Sequence, residues 1–380
     1  MDYKTDILIN LPHILYGGLG LFLAFQLYYL LFIYSRLARY KVRSFKETPA
    51  IIPVSVIICA RNEQENLKNF LPVILQQDYA NFEVIVVNDC SDDETKWVLQ
   101  DFERKYTHLK IVEIKEHIKL KHSKKFALTM GIKAAQYDHL LLTDADCEPQ
   151  SIHWLSEIAG AFTKGKEIIL GYSPYFKTKG FLNKLIRFET AHTAMSYLSY
   201  ALQRNTYMGV GRNLAYTKAL FFKGKGFNAH MHIKSGDDDL FVNHNATRKN
   251  VNIAIHPDAH LYSLAKNTWK SYYKQKARHA GASIAYKKKH QYMLGTQLFT
   301  AIAFYLMLIV CLTSYPSMWY FALAAYLLRL LLQLIVFNPI YSKLAVKDLL
   351  LWLPILDLFF YFYICFNGIF NRSKKQKSWK

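Results

Sequence analysis

Residues 12–34 contain no Asp, Glu, Lys or Arg. As a helix this run rises more than the ~30 Å of a bilayer's hydrocarbon core. A cleaved signal peptide is the competing reading. It would need a basic start, a shorter apolar core and a small-residue cleavage site. This chain opens MDYKTD and the run ends in bulky residues, so a retained anchor is expected. Arg36, Arg39, Lys41 and Arg43 follow at once. Such residues are held on the cytosolic side of a membrane, which places the next segment in the cytoplasm.

Two further apolar blocks lie near the other end. Residues 297–337 are interrupted by Ser314, Tyr315, Pro316 and Ser317, which predicts a helical hairpin of two spans. Residues 349–370 form a fourth candidate. They contain Pro354, Asp357 and Asn367, and a third later crossing would put the basic tail at 372–380 outside. A re-entrant or interfacial segment with a cytosolic tail is expected instead. The chain therefore divides into an N-terminal anchor (1–45), a central domain (46–290) and C-terminal membrane or interfacial helices with a basic tail (291–380). A bacterial inner membrane is the expected location, and oligomeric state is left open.

Net charge is +20, from 48 Lys and Arg against 28 Asp and Glu. The basic clusters at 36–43, 287–289 and 372–377 sit beside apolar segments. That pattern fits membrane retention, and no nucleic-acid-binding motif accompanies it. A transporter would need ionisable residues within several spans; only Arg329 and Asp357 qualify. Cys59, Cys90, Cys147, Cys311 and Cys365 form no paired or clustered pattern, so no disulfide framework or zinc site is indicated.

Between 51 and 260, apolar β-rich runs alternate with helical stretches. Strands are predicted at 51–59, 82–88, 110–114 and 139–143, and helices at 65–77, 96–106 and 124–135. This order predicts a mostly parallel sheet with helices on both faces. Ligands of such sheets bind beyond the carboxyl ends of the strands. Residues 181–203 have apolar positions at helical spacing and read either as a helix on the membrane surface or as one packed on the domain.

Chemistry is therefore sought after each strand. Ala60, Arg61 and Glu63 lie on a strand-to-helix turn, whose free N–H groups suit a diphosphate. Asp89 follows a buried strand and can accept hydrogen bonds from a base or ribose; Asp92 or Asp93 is expected to cap the next helix. Asp144 and Asp146 end a hydrophobic strand two residues apart, which in extended chain puts both carboxylates on one side. A divalent cation between them, Mg2+ or Mn2+, offsets their repulsion. Asp237, Asp238 and Asp239 precede an apolar helix start; one can cap it and another can serve as general base. Gln275 and Arg278 share a helix face near the second membrane block.

The ordered set V-x-N-D (ending at Asp89), D-A-D (144–146), G-D-D (236–238) and Q-x-x-R-H (275–279) resembles the inverting membrane glycosyltransferases of family 2. That family includes cellulose, hyaluronan and poly-N-acetylglucosamine synthases and ceramide glucosyltransferases. The resemblance spans about residues 50–285. It implies a GT-A fold, a nucleotide-sugar donor (a UDP-sugar), a metal held mainly by Asp146 with Asp144, and Asp238 as catalytic base. Asp89 would contact the nucleoside, and Lys124 matches the lysine of the family's G-K-x-x-A-L stretch, with Ser123 in place of its glycine. Gly211 and Arg212 fall in a segment, 209–216, similar to the acceptor-side loop, and Asp237, Gln275 and Arg278 would face the acceptor or diphosphate. The family's tryptophan after Q-x-x-R is His279 here, which argues against a long-chain polymerase. The implied function is sugar transfer to a lipid or glycan acceptor at the cytosolic face. A processive polysaccharide synthase and a non-catalytic nucleotide-sugar-binding membrane protein are the alternatives.

Overall fold

The structure, a computed structural model, describes residues 3–45, 52–115, 123–233, 235–279 and 281–370; side chains are described from residue 10 and not for 278, 279 or 365–370. The basic tail at 372–380 lies outside the described residues. Two compact units are present, one built on 41–287 and the other on the flanking segments. The chain begins with α1 (Tyr3–Tyr28), which passes through a π-helical stretch (Tyr29–Tyr34) into α2 (Ser35–Arg39).

The central unit then alternates. It runs β1 (Val54–Ala60), α3 (Gln64–Leu75), β2 (Phe82–Asp89), α4 (Thr95–Lys105), β3 (Leu109–Ile114), α5 (Lys124–Ala134) and β4 (His139–Asp144). After β4 come β5 (Cys147–Pro149), α6 (Trp154–Gly160), β6 (Ile168–Leu170), α7 (Phe181–Leu202), β7 (Leu214–Thr217), α8 (Lys218–Lys223), α9 (Asp239–Asn245), β8 (Val251–Ile253), β9 (Leu261–Ser263) and α10 (Trp269–His279).

The main sheet has the order β3-β2-β1-β4-β7-β6-β8. Its first four strands are parallel, β7 runs antiparallel to β4, and β6 antiparallel to β7. All seven residues of β1 are buried, as a central strand covered on both faces requires. Val54, Val56, Ile58 and Ala60 of β1 join a core with Leu67, Leu71 and Ile74 of α3, Val98 and Leu99 of α4, and Trp154 and Leu155 of α6. The alternate residues belong to the other face. There α5 comes so close that a Cβ on Gly131 would lie 2.8 Å from Ile57 Cγ2 and 2.9 Å from Val87 Cγ2. That glycine seats the helix that begins with Lys124.

The chain leaves β1 towards β2 and β3 and returns on the other side as β4. This makes the β1–β4 pair a topological switch point, where a crevice opens at the strand ends. Cys59 pairs with Asp144 in that register. Of the two readings of 181–203, the packed one holds: α7 is buried around most of its circumference, from Asn183 to Tyr200, so it does not offer a free lipid-facing side.

In the flanking unit α11 (Lys288–Ser314) turns at Pro316–Met318 into α12 (Trp319–Lys343), and a 3-10 turn (Lys347–Trp352) leads to α13 (Leu353–Phe370). Among the described residues three segments are long and apolar enough to cross a membrane: Asn10–Arg39, Lys288–Ser314 and Pro316–Lys343. Pro354 sits in the first turn of α13, where its missing N–H costs nothing. Arg329 and Asp357, both nearly inaccessible, form an ion pair at 2.9 Å between α12 and α13. Gln333 Nε2 donates to the other Asp357 oxygen at 2.9 Å, and Arg329 donates to Tyr305 Oη at 3.0 Å. The guanidinium and the carboxylate meet each other, which offsets much of the cost of burying them, although Arg329 Nε makes no hydrogen bond among the described residues.

Breaking that pair should be costly. Arg329→Met leaves Asp357 buried without its cation and should destabilise the protein by about 3–5 kcal/mol. Adding Asp357→Leu should recover most of the loss. Thermal melts in detergent check both; equal melting of the single variant and the parent would refute the coupling.

Candidate active site

Two loops meet beyond the ends of β1 and β2. Beyond β1, Asn62 adopts a left-handed backbone (φ 54°), a conformation Asn tolerates better than most residues. Its Oδ1 accepts from Asp92 N at 3.0 Å and its own N–H reaches Ser91 Oγ at 3.0 Å. The N-cap position of α4 is Glu94. Asp93 accepts from Thr95 N, the first residue of α4, and from Gln64 N, so it ties the starts of α4 and α3 together. Burial raises its carboxyl pKa, but those hydrogen bonds outweigh it and hold the group below the ordinary value.

The acidic residues come from two places. Asp144 ends β4. Ala145 and Asp146 then form a turn before β5, in place of the extended chain that the spacing suggested, yet both carboxylates line the same cavity. Burial, then the neighbouring charge of Asp144, push the Asp146 carboxyl up, against the opposing pull of Arg212 and Lys266. Asp237, Asp238 and Asp239 arrive at the start of α9. Lys124 Nζ joins the two groups, 2.8 Å from Asp144 Oδ1 and 3.4 Å from Asp237 Oδ2. Both carboxylates raise its pKa well above the ordinary lysine value despite burial.

Asp238 is itself the N-cap of α9. Its Oδ1 accepts from Asp239 N and its Oδ2 from Gly211 N, each at 2.7 Å. A Cβ at position 211 would lie 3.2 Å from that Oδ2, so a glycine allows this approach. Burial, followed by the charges of Asp237 and Asp239, pushes the Asp238 carboxyl up to about 7, with Lys124 and the Gly211 amide opposing. Asp239 accepts from Tyr286 Oη at 2.7 Å. Lys125 Nζ, buried, donates to the carbonyls of His230 and Ile233 at 2.6 and 2.8 Å, fixing part of the loop that leads to the triplet.

These groups surround one cavity of about 520 Å³, a size ordinary for a small-molecule site. Of the residues singled out in the sequence, Glu63, Lys124, Asp144, Asp146, Gly211, Arg212, Asp237, Asp238 and Gln275 line it. Ala60, Arg61 and Asp89 do not. Ala60 is sealed in the core and Asp89 is 2% exposed at the end of β2, so burial keeps both from the wall. The side chains of Arg278 and His279 lie outside the described residues. The sequence reading missed Tyr175, Glu189, Lys266, Lys276 and Tyr286, which also line the cavity. None belongs to a motif that could have drawn attention to it. Arg212 is fixed from three sides: it donates to Ser263 Oγ at 2.5 Å and to Ser173 O at 3.2 Å, and it lies over the Tyr175 ring at 4.4 Å.

The donor set at Asp144 and Asp146 fits a divalent cation. It offers two hard carboxylate oxygen ligands on the wall of one cavity. Among the described residues no disulfide occupies the region; Cys59 and Cys147 are free and buried.

Residues 55–224 match the model of the glycosyl transferase family 2 domain, and 141–362 match that of glycosyl transferase family group 2. The chain belongs to this family. The poly-β-1,6-N-acetyl-D-glucosamine synthase of Staphylococcus epidermidis is 31% identical over 93 residues, 24% of this chain and 21% of that protein. The probable glycosyltransferase YdaM of Bacillus subtilis is 25% identical over 244 residues, 62% of this chain and 56% of that one. The matched part thus spans about a fifth of the first relative and just over half of the second. The solved mannosyltransferase PcManGT of Pyrobaculum calidifontis, in complex with GDP-mannose and Mn2+, has the same fold: TM-score 0.58 at 16% identity, over 94% of this chain and all of that one. The fold is therefore GT-A.

A carboxylate-resolved infrared titration, with Asp238→Asn as the blank, should give Asp238 a midpoint near 7. In Lys124→Met the midpoint should move to higher pH, because a stabilising positive charge is gone. A midpoint in the ordinary carboxylate range would refute this electrostatic account.

Proposed function

We propose that the protein is a membrane-bound inverting glycosyltransferase that moves a sugar from a nucleoside-diphosphate donor, a UDP-sugar, to a hydroxyl of a lipid or glycan acceptor. The single observation that carries the reading is the convergence of Asp144, Asp146 and Asp238 on one cavity, with the Asp238 carboxyl pushed up to about 7. A group with that affinity for protons is ionised often enough at neutral pH to act, yet basic enough to take a proton from an attacking hydroxyl.

In this mechanism Asp238 accepts the acceptor's proton as its oxygen attacks the anomeric carbon from the side opposite the diphosphate. The Gly211 amide holds the receiving carboxylate in place. Mg2+ or Mn2+ held by Asp146 and Asp144 would supply charge neutralisation to the departing diphosphate. Lys124 keeps Asp144 and Asp237 oriented, and Arg212, clamped by Ser263, Ser173 and Tyr175, presents fixed positive charge to the diphosphate or acceptor. Glu63 contacts the donor from the turn after β1, while Ala60, Arg61 and Asp89 support the nucleoside side from behind the wall. Gln275, Arg278 and His279 belong to the acceptor side. Arg36, Arg39, Lys41 and Arg43 after the first span assign the central unit to the cytosol, as expected of an inner-membrane protein that draws on cytosolic nucleotide sugars.

Incubating the protein in native membranes with radiolabelled nucleotide sugars and Mn2+, then extracting with organic solvent, tests the reading directly. Labelled product, in either phase, should appear with one donor and vanish with EDTA. Asp238→Asn should lower turnover about 10²- to 10⁴-fold with donor binding retained. Asp146→Ala should instead abolish metal-dependent donor binding. In the parent, kcat/KM should rise with pH through about 7, since the base must be deprotonated. A profile flat from pH 5 to 9 would remove Asp238 from that role.

A further inference from the structure

One wall of the cavity is unused by this mechanism. Glu189, Thr190, Thr193, Ala194 and Tyr197 of α7 line it, at the spacing that puts residues on one helix face. Glu189 is 15% exposed at its side chain and accepts from Lys276 Nζ at 2.6 Å and from Tyr272 Oη. Among the described residues, the hydroxyls of Thr190 and Thr193 make no hydrogen bond. Both side chains are half-buried, and both residues line the cavity. Ser283 lines the cavity too, as does Gln275, whose amide donates to Tyr175 Oη at 3.4 Å.

We infer that this face of α7, with Lys276 of α10, is the acceptor subsite, and that it takes a neutral sugar ring rather than a hydrocarbon alcohol. The inference rests on the reading of Asp238 as base and narrows the acceptor class left open there. A carboxylate, an ammonium, an amide and several hydroxyls within one wall match the alternating donors and acceptors of a polyhydroxylated ring. An alkyl chain would bury these groups without replacing the water they lose, and unmet buried polar groups are expensive. The face of α7 on the cavity is itself mixed: Ala194 and Tyr197 stand beside Glu189, Thr190 and Thr193. An anionic acceptor head is disfavoured by Glu189 and by Asp237, Asp238 and Asp239 on the same cavity.

Two variants separate this role from a purely structural one. Glu189→Gln weakens the link to Lys276 as well as the subsite, whereas Thr193→Val removes a hydroxyl that holds nothing else in the described structure. The full-length protein, with the nucleotide sugar identified in the donor panel, is offered a β-linked N-acetylglucosamine disaccharide, cellobiose or dodecanol. Saturable transfer to at least one disaccharide is expected. Each variant should raise the acceptor KM about tenfold, the effect of one lost hydrogen bond of about 1.4 kcal/mol, while the donor KM moves less than twofold. Transfer to dodecanol alone, or an acceptor KM unmoved in both variants, overturns the subsite while sugar transfer itself stands. Absence of labelled product with every nucleotide sugar in native membranes overturns the transferase reading beneath it.

Discussion

Lys124 is the only cation within ion-pair reach of both acidic clusters among the described residues. It stands between the end of β4 and the triplet at the start of α9, in contact with Asp144 and Asp237. Without it, carboxylates from distant parts of the chain would be forced together in a poorly hydrated crevice. The placement of Lys124 depends in turn on α5 lying tight against β1 and β2 through Gly131. A close helix–sheet contact on one face of the core thus sets the electrostatics at the strand ends. The Asp238 carboxyl is pushed up to about 7 by burial and then by the charges of Asp237 and Asp239, which Lys124 only partly offsets.

Much of this was legible in the amino-acid sequence, and the limits have physical causes. Strands β1, β2 and β4 are runs of six to eight residues with little polar interruption, which a fully covered parallel sheet demands. Their polar ends were therefore easy to find. Strands β5, β6, β8 and β9 have three residues each, too few for any periodicity to register. The far edge of the main sheet, β6 and β8, and the separate β5–β9 pair were accordingly invisible, as was β7, within the segment read as an acceptor-side loop. The same gap hid the turn that carries Asp146.

At the site, motif residues were found because carboxylates cluster in sequence as they do in space. Glu189 was not, since a lone acid on a helix with apolar neighbours looks like an ordinary surface position. Its surroundings come from α10, more than eighty residues away in the chain, and no local pattern encodes that meeting. Asp89 shows the converse. Its position after a strand suggested ligand contact, but packing at the strand end buried it. Asp238 combines two roles that sequence reasoning had assigned to separate members of the triplet: it caps α9 and is the candidate base, so the helix start and the reacting group share one carboxylate.

The Arg329–Asp357 pair has a consequence for biosynthesis. A guanidinium far from either end of an apolar helix opposes insertion by about 2.5–3.5 kcal/mol when that helix enters lipid alone. Its partner lies on the next helix, which leaves the ribosome later, and Tyr305 lies on the previous one. For α12 read as a membrane span, neutralising Arg329 requires α13. Without α13, the hairpin of α11 and α12 would hold that guanidinium with no carboxylate to meet it.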